Sequence, residues 1–432
     1  MAPSPRALAA LPLLLSAGSG AFAAGAAASY RLIYTDAHGN DPPARRSAAA
    51  VQCGGDGTMP FWIQSADFAA SGARLTPPAD VSTELCGAGY LSLHANRSTL
   101  IFASMDLTTP GNIGNVETYS LVLGGAAPAK PAKLFGDISP LLAACGTTDP
   151  CHTASTFHGT FSPAGDKIFF AYRVWDAEEN GIGNQALATA DADGGAVRPL
   201  TFTTAGAYKG INIIDMCPAP SRADPSKVFF LRSLDQGMSM FAAVAEVATG
   251  AVTVLLALPE YALSSGCANF VETADGVSVL YMACVSGLAN CSFSEPRAAA
   301  VAASKRDRRA AWGLGNALPL APRAGAAAAN RTFYDYGIVK VKGPLDSLNF
   351  TSAFNVPLTN TPDTVGSYAV TQCDQIHGAP GSSLITCEGA DPTHSFTQMV
   401  LVDMATGANA SDISYDTFRS CMTPRCSLLA VV

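Results

Sequence analysis

Short apolar runs alternate along this chain with polar, glycine-containing stretches, and the pattern is clearest between Gly159 and Phe202. There Lys167-Ile168-Phe169-Phe170-Ala171-Tyr172 is a β-branched and aromatic run that predicts a strand. Ile168 and Phe170 alternate with Phe169, so both faces of that strand are apolar and both must be covered. Phe161-Ser162-Pro163 leads into it through the turn Ala164-Gly165-Asp166. An acidic, glycine-containing loop follows, then a second strand over Gln185 to Ala190. Asp191-Ala192-Asp193-Gly194-Gly195 predicts a hairpin turn whose glycines accept positive φ, and Val197 to Thr201 closes the unit at its outer edge.

Degenerate copies of this unit recur on both sides. Ser98 to Asp106 with Tyr119 to Gly125 and Lys133 precede it, and Lys227 to Arg232 with Met240 to Gly250 follow. Further copies are Ser278 to Cys284 with Ala298 to Ala303, and Ser383 to Cys387 with Gln398 to Gly407. Tyr30 to Tyr34 and Phe61 to Gln64, closing on Ala73-Arg74-Leu75-Thr76, make the first. The stretch Ala321 to Asn360 shows only the outer half of a unit, at Tyr336 to Lys342 and Val356 to Thr359, so the count is six or seven.

The repeat Phe-Ser-Pro, strand, Asp-x-Asp-Gly-Gly, Leu-Thr resembles that of TolB-type propellers, with Ala164 standing where their first Asp falls. The resemblance implies an all-β, WD-repeat-like fold, a β-propeller of six or seven four-stranded blades. Residues 29–432 are expected to form that single domain, with a tail around Cys421 and Cys426 closing it. Fold alone does not assign function, which resides in what the loops carry.

At the N-terminus Arg6 precedes the apolar run Ala7 to Leu15, and Ala21-Phe22-Ala23 offers a small-x-small cleavage site, so residues 1–23 are expected to be a signal peptide. That run is shorter than the ~20 residues a membrane-spanning helix needs, and no later run is longer, so no membrane span is expected. Twelve cysteines, an even number, suit an oxidising compartment. They fall as neighbours: Cys53 with Cys86, Cys145 with Cys151, Cys217 with Cys267, Cys284 with Cys291, Cys373 with Cys387, and Cys421 with Cys426. Connectivity is not decided by spacing alone. Acceptor sequons at Asn96, Asn290, Asn330, Asn349 and Asn409 agree with a eukaryotic secretory route, so the chain is expected outside the cell.

With 48% hydrophobic and 14% charged residues the chain carries enough apolar material for a large core. A formal net charge of -8 argues against nucleic acid as a partner.

No Gly-x-Ser-x-Gly elbow is present, since Gly237-Met238-Ser239-Met240-Phe241 lacks the second glycine, and there is no His-Glu-x-x-His. Asp191-Ala192-Asp193-Gly194 lacks the Glu that a calcium loop needs at its twelfth position, where Phe202 stands, so it reads as a turn. Asp176, Glu178 and Glu179 read as a solvated loop, and the basic run Lys305 to Arg309 as a turn. His158, expected on a strand lining the central channel, and His377 are the candidate catalytic residues. The segment Gln372 to Gly389 resembles oligogalacturonate lyases, TolB-like propellers with histidine and glutamine around a divalent cation. That resemblance makes Gln375 and His377 the candidate metal ligands and a divalent cation the one cofactor to consider. The expected function is a secreted binding module for a protein or glycan ligand; the alternative is a propeller enzyme acting on glycans, a metal-assisted lyase or a hydrolase.

Overall fold

The computed structural model describes residues 29–36, 60–69, 75–77, 79–83, 85–86, 88–105, 116–125, 128–143, 153–175, 185–201, 214–233, 240–257, 269–273, 276–284, 336–343, 356–357, 369–375, 384–391, 396–403, 409–412 and 429–431. The expected signal peptide, His377, the acidic residues 176–179 and the basic run 305–309 lie outside them. So do Cys53, Cys145, Cys151, Cys267, Cys291, Cys421 and Cys426, and the sequons at Asn290, Asn330 and Asn349.

The described residues are almost entirely strand, arranged in antiparallel meanders. The first contains β1 (Ser29–Asp36), β2 (Pro60–Ala69), β3 (Ala79–Asp80) and β4 (Leu85–Cys86). The second is β5 (Ala88–Leu93), β6 (Thr99–Met105), β7 (Val116–Val122) and β8 (Ala132–Lys133), followed by the short helix α1 (Ser139–Ala143). The third is β9 (Thr153–Phe161), β10 (Lys167–Trp175), β11 (Gln185–Asp191) and β12 (Arg198–Pro199). The fourth is β13 (Ile214–Pro220), β14 (Lys227–Ser233), β15 (Met240–Glu246) and β16 (Val252–Ala257). The fifth comprises β17 (Asn269–Thr273), β18 (Gly276–Cys284), β19 (Tyr336–Gly343) and β20 (Val356–Pro357). The sixth comprises β21 (Ala369–Gln375), β22 (Leu384–Asp391), β23 (Phe396–Asp403) and β24 (Asn409–Asp412). The last strand, β25 (Leu429–Val431), returns to the start and pairs antiparallel with β1.

The first strand of each meander lies beside that of the next, β5 against β9, β9 against β13, β13 against β17 and β17 against β21. The core therefore forms between meanders, and β10 shows how. Ile168, Phe170 and Tyr172 join Ile101 and Phe135 on the side of the second meander, while Phe169 and Ala171 join Val228, Phe230 and Ala243 of the fourth. A strand buried on both faces must be apolar at consecutive positions, which is the run read in the sequence. Phe135 stacks on Phe170 with ring centroids 4.3 Å apart, and Phe229 on Phe270 at 5.4 Å.

In the first meander Leu75 and Thr76 donate backbone hydrogen bonds to the Asp67 carbonyl of β2, as Leu200 and Thr201 do to the Leu187 carbonyl of β11, and β3 and β4 also pair with β2. One strand assignment made from the sequence is corrected: β18 pairs from Val277 to Cys284 with Tyr336–Gly343, not with Ala298 to Ala303. The connection 285–335 therefore interrupts one meander, and the half-unit read in Ala321 to Asn360 is the outer part of that meander rather than a separate copy. Lengthening a connection costs closure entropy only logarithmically, so pairing survives such an insertion.

Candidate functional site

Three consecutive first strands carry the same irregularity. In β5, Tyr90 and Leu91 face the single residue Phe102. In β9, His158 and Gly159 face Phe170, and in β13, Cys217 and Pro218 face Phe230. Each is a β-bulge, and in each the leading residue is left-handed, with φ of 56° at Tyr90, 54° at His158 and 58° at Cys217. The opposing Phe102, Phe170 and Phe230 are fully buried. A non-glycine residue held at such a φ costs on the order of 1 to 3 kcal/mol, and three in register mark a built feature. β21 shifts register between Val370 and Gln372, with Thr371 as its extra residue.

The bulges bring three side chains into one chain of contacts. The rings of Tyr90 and His158 meet edge to face with centroids 3.7 Å apart. The Cys217 amide points at His158 Nδ1 from 3.4 Å, and Cys217 Sγ lies 3.8 Å from the same atom. A ring nitrogen that accepts from an amide is unprotonated, so the neutral ring carries its proton on Nε2. Cys217 is disulfide-bonded, so its sulfur has no thiol to be activated as a nucleophile. His158 stands on the first strand of the third meander, buried between the neighbouring meanders. Gln375 ends β21 opposite Ile385. His377 lies outside the described residues, so the described geometry joins neither of these to His158.

Sequence reading missed a second constellation, at the end of the third and fourth meanders where β10 runs into β11 through residues 176–184. Arg173 lies near the end of β10, and its Nη2 donates to Gln185 Oε1 at 3.3 Å. Gln185 Nε2 donates in turn to the Asp215 carbonyl at 2.9 Å, crossing from one meander to the next. The Asp215 carboxylate is fully buried and accepts two hydrogen bonds from Arg232, at 2.7 and 2.8 Å. Burial lowers the Arg173 guanidinium to about 10. Burial also pushes the Asp215 carboxyl upward, against the pull of Arg232 and Thr201. The Arg232 guanidinium lies 5.4 Å from the Phe230 ring centroid, within cation–π range. The signal was present in the sequence as single charges inside apolar runs, Arg173 after Tyr172 and Arg232 after Leu231. At the same end of the second meander, Glu117 is buried and pairs with Lys133.

The described residues of the opposite end include several tight turns. His94 Nδ1 accepts from the Asn96 amide at 3.0 Å, which places the ring proton on Nε2, and Nε2 donates to the Gly165 carbonyl at 2.7 Å. One turn is thereby clasped to the next, with the ring edge against Phe161 at 4.8 Å. Gly194 occupies the hairpin expected of Asp191 to Gly195, with φ 85°, and a Cβ there would fall 2.2 Å from the Leu134 carbonyl oxygen. Glycine is thus required by the turn and by the neighbouring meander together. In the turn before β14, Ser226 and Lys227 hold the Asp224 carboxyl down at about 2.

Among the described residues no three His, Cys, Asp or Glu side chains gather closely enough to hold a metal ion, and no helix is long and apolar enough to cross a membrane. No family model and no curated protein matches the chain. Among solved structures it is similar to TolB from Acinetobacter baumannii, at 16% identity and TM-score 0.28, covering 59% of this chain and 61% of that one. It is similar to oligogalacturonate lyase from Vibrio parahaemolyticus at 10% identity and TM-score 0.31, covering 51% of this chain and 55% of that one. A chain of a nidogen/laminin complex matches at 8% identity and TM-score 0.39, covering 94% and 99%.

Proposed function

We propose that the chain is a secreted, six-bladed β-propeller that acts as a binding module for a protein or glycan ligand. Each meander supplies a blade, and β25 serves as the inner strand of the first. The observation that carries the binding reading is the unequal length of the connections at the two ends. At one end the hairpins of the second to fifth meanders turn within 94–98, 123–131, 162–166, 192–197, 221–226, 247–251, 274–275 and 344–355. At the other, the second to fifth meanders are joined and folded back through 106–115, 134–152, 176–184, 200–213, 258–268 and 285–335. Variable connections on a rigid scaffold are where recognition is built.

The paired-cysteine scheme supports export. Positions 373 and 387 stand directly opposite in β21 and β22, and directly opposed Cα atoms, ~4.5 to 5.5 Å apart, lie within the span of a disulfide. Residues 1–23 are then removed as a signal peptide.

The test is a panel of glycans and extracellular proteins screened against the purified full chain, with and without divalent cations. Saturable binding without turnover is expected. Replacing 176–184 by a short Gly-Ser turn should abolish it, whereas His94→Phe should leave it unchanged. Cation-dependent turnover of a glycan would overturn the reading in favour of the enzyme alternative, with Gln375, His377 and His158 the residues to substitute first.

A further inference from the structure

We infer that Asn96 carries an N-linked glycan that caps the tight-turn end of the molecule; the inference rests on the secretory reading above. The sequon Asn96-Arg97-Ser98 forms the turn between β5 and β6, and all three residues are exposed. The turn holds its shape by its own hydrogen bonds. The His94 amide donates to the Thr99 carbonyl at 2.8 Å, and the Arg97 amide to the His94 carbonyl at 2.8 Å, with Arg97 left-handed at φ 61°. The Ser98 amide donates to Asn96 Oδ1 at 2.9 Å, an Asx turn that engages the carboxamide through its oxygen. From beneath, His94 accepts the Asn96 amide and donates to Gly165, so the backbone of the acceptor residue is fixed to the neighbouring turn as well.

This arrangement divides the two ends of the Asn96 side chain between two tasks. Oδ1 serves the turn, while Nδ2 is the atom to which a sugar is linked. In the transfer, Nδ2 bonds to the anomeric carbon of a lipid-diphosphate-linked oligosaccharide. The bond from that carbon to the diphosphate oxygen breaks, the amide nitrogen gives up one proton, and the lipid diphosphate leaves. The finished glycan retains Oδ1 as an acceptor, so the folded turn accommodates it without rearrangement. Asn409, the other described sequon, is the first residue of β24 and sits opposite Val402 in a ladder rather than in a turn. A branched, hydrated glycan at Asn96 covers the tight turns and leaves the end with the long connections to the partner.

The full chain is expressed through a eukaryotic secretory pathway, and the peptide containing Asn96 is mapped before and after peptide N-glycosidase treatment in heavy-oxygen water. Conversion of Asn96 to heavy-labelled Asp is expected. N96Q and S98A should each migrate faster by one glycan, while S98T, which restores an acceptor sequon, should not. Recovery of Asn96 unmodified while another sequon is occupied would overturn the assignment and leave the secretory reading intact. A chain retained in the cytosol with every sequon unmodified would overturn both.

Discussion

The two ends of the meanders handle charge in opposite ways. At the tight-turn end charged groups lie at the surface, and in two turns they engage partners a few residues away: Asp166 accepts from Ser162, and Asp224 accepts from Ser226 and Lys227, while Lys167 and Asp191 pair across the β10–β11 ladder. At the other end charge is buried and its partners are distant in sequence, with Arg173, Gln185, Asp215 and Arg232 spanning two meanders. A turn that satisfies itself needs nothing from its neighbours, so its sequence can drift so long as the turn chemistry is kept. A buried arginine and aspartate tolerate no such freedom, because losing either partner strands the other away from water.

That contrast ranks the effects of substitution. The largest loss is expected for Arg232→Ala, which leaves the Asp215 carboxylate buried and unpaired, at about 3 to 5 kcal/mol by chemical denaturation. Arg232→Lys should recover only part of it, lacking the second donor of the fork. A loss near that of an exposed ion pair, below ~1 kcal/mol, would erase the distinction between the ends. In the apolar layer between the ends, Phe170→Ala should cost about 3 to 5 kcal/mol through the cavity it opens, read from the same denaturation curves.

Gly194→Ala should follow at roughly 3 kcal/mol, combining a left-handed φ with a close approach to a backbone carbonyl that has little room to move. It shows that a tight turn becomes as demanding as the buried end where a neighbouring meander presses on it. A melting temperature unchanged in this variant would place Leu134 elsewhere. His94→Phe keeps a ring against Phe161 but removes both hydrogen bonds of the clasp, and about 1 to 2 kcal/mol is expected.

The smallest effect is the pH response of the Asp224 turn. Its carboxyl is held at about 2 in the folded chain, below the value of an unfolded aspartate. The stabilisation is therefore fully present above the ordinary carboxylate range and is lost as pH falls from about 4 toward 2. Thermal melts of the wild type and Asp224→Asn between about pH 6 and pH 2 should converge at the acid end. Curves that stay parallel would mean the turn does not contribute.

The third meander was legible in the sequence because the levels agree there: an apolar run, a hairpin with Gly194 at a positive φ, and an outer edge at the expected distance, although the other positive φ of that turn falls on Ala196 rather than Gly195. The fifth was misread because 285–335 separates β18 from β19, and pairing across so long a gap leaves no local trace. Tyr90, His158 and Cys217 were missed as a set for a different reason. A bulge inserts one residue without altering the apolar pattern around it, and nothing in the residue types announces a left-handed φ at histidine or tyrosine. His158 was singled out for the scarcity of histidine in the chain. The side chains it touches, from the meanders on either side, became visible only in three dimensions.

The pairing of β25 with β1 sets a constraint of timing. Of the described strands the ribosome makes β1 first and β25 last. Domains generally begin to fold as they emerge, at ~5 to 20 residues per second, so β1 keeps an unpaired edge until β25 is made. That edge is a template for any other extended segment in the interval. A chain cut before β25 would keep its interior yet hold that edge open, and its failure would take the form of association between copies.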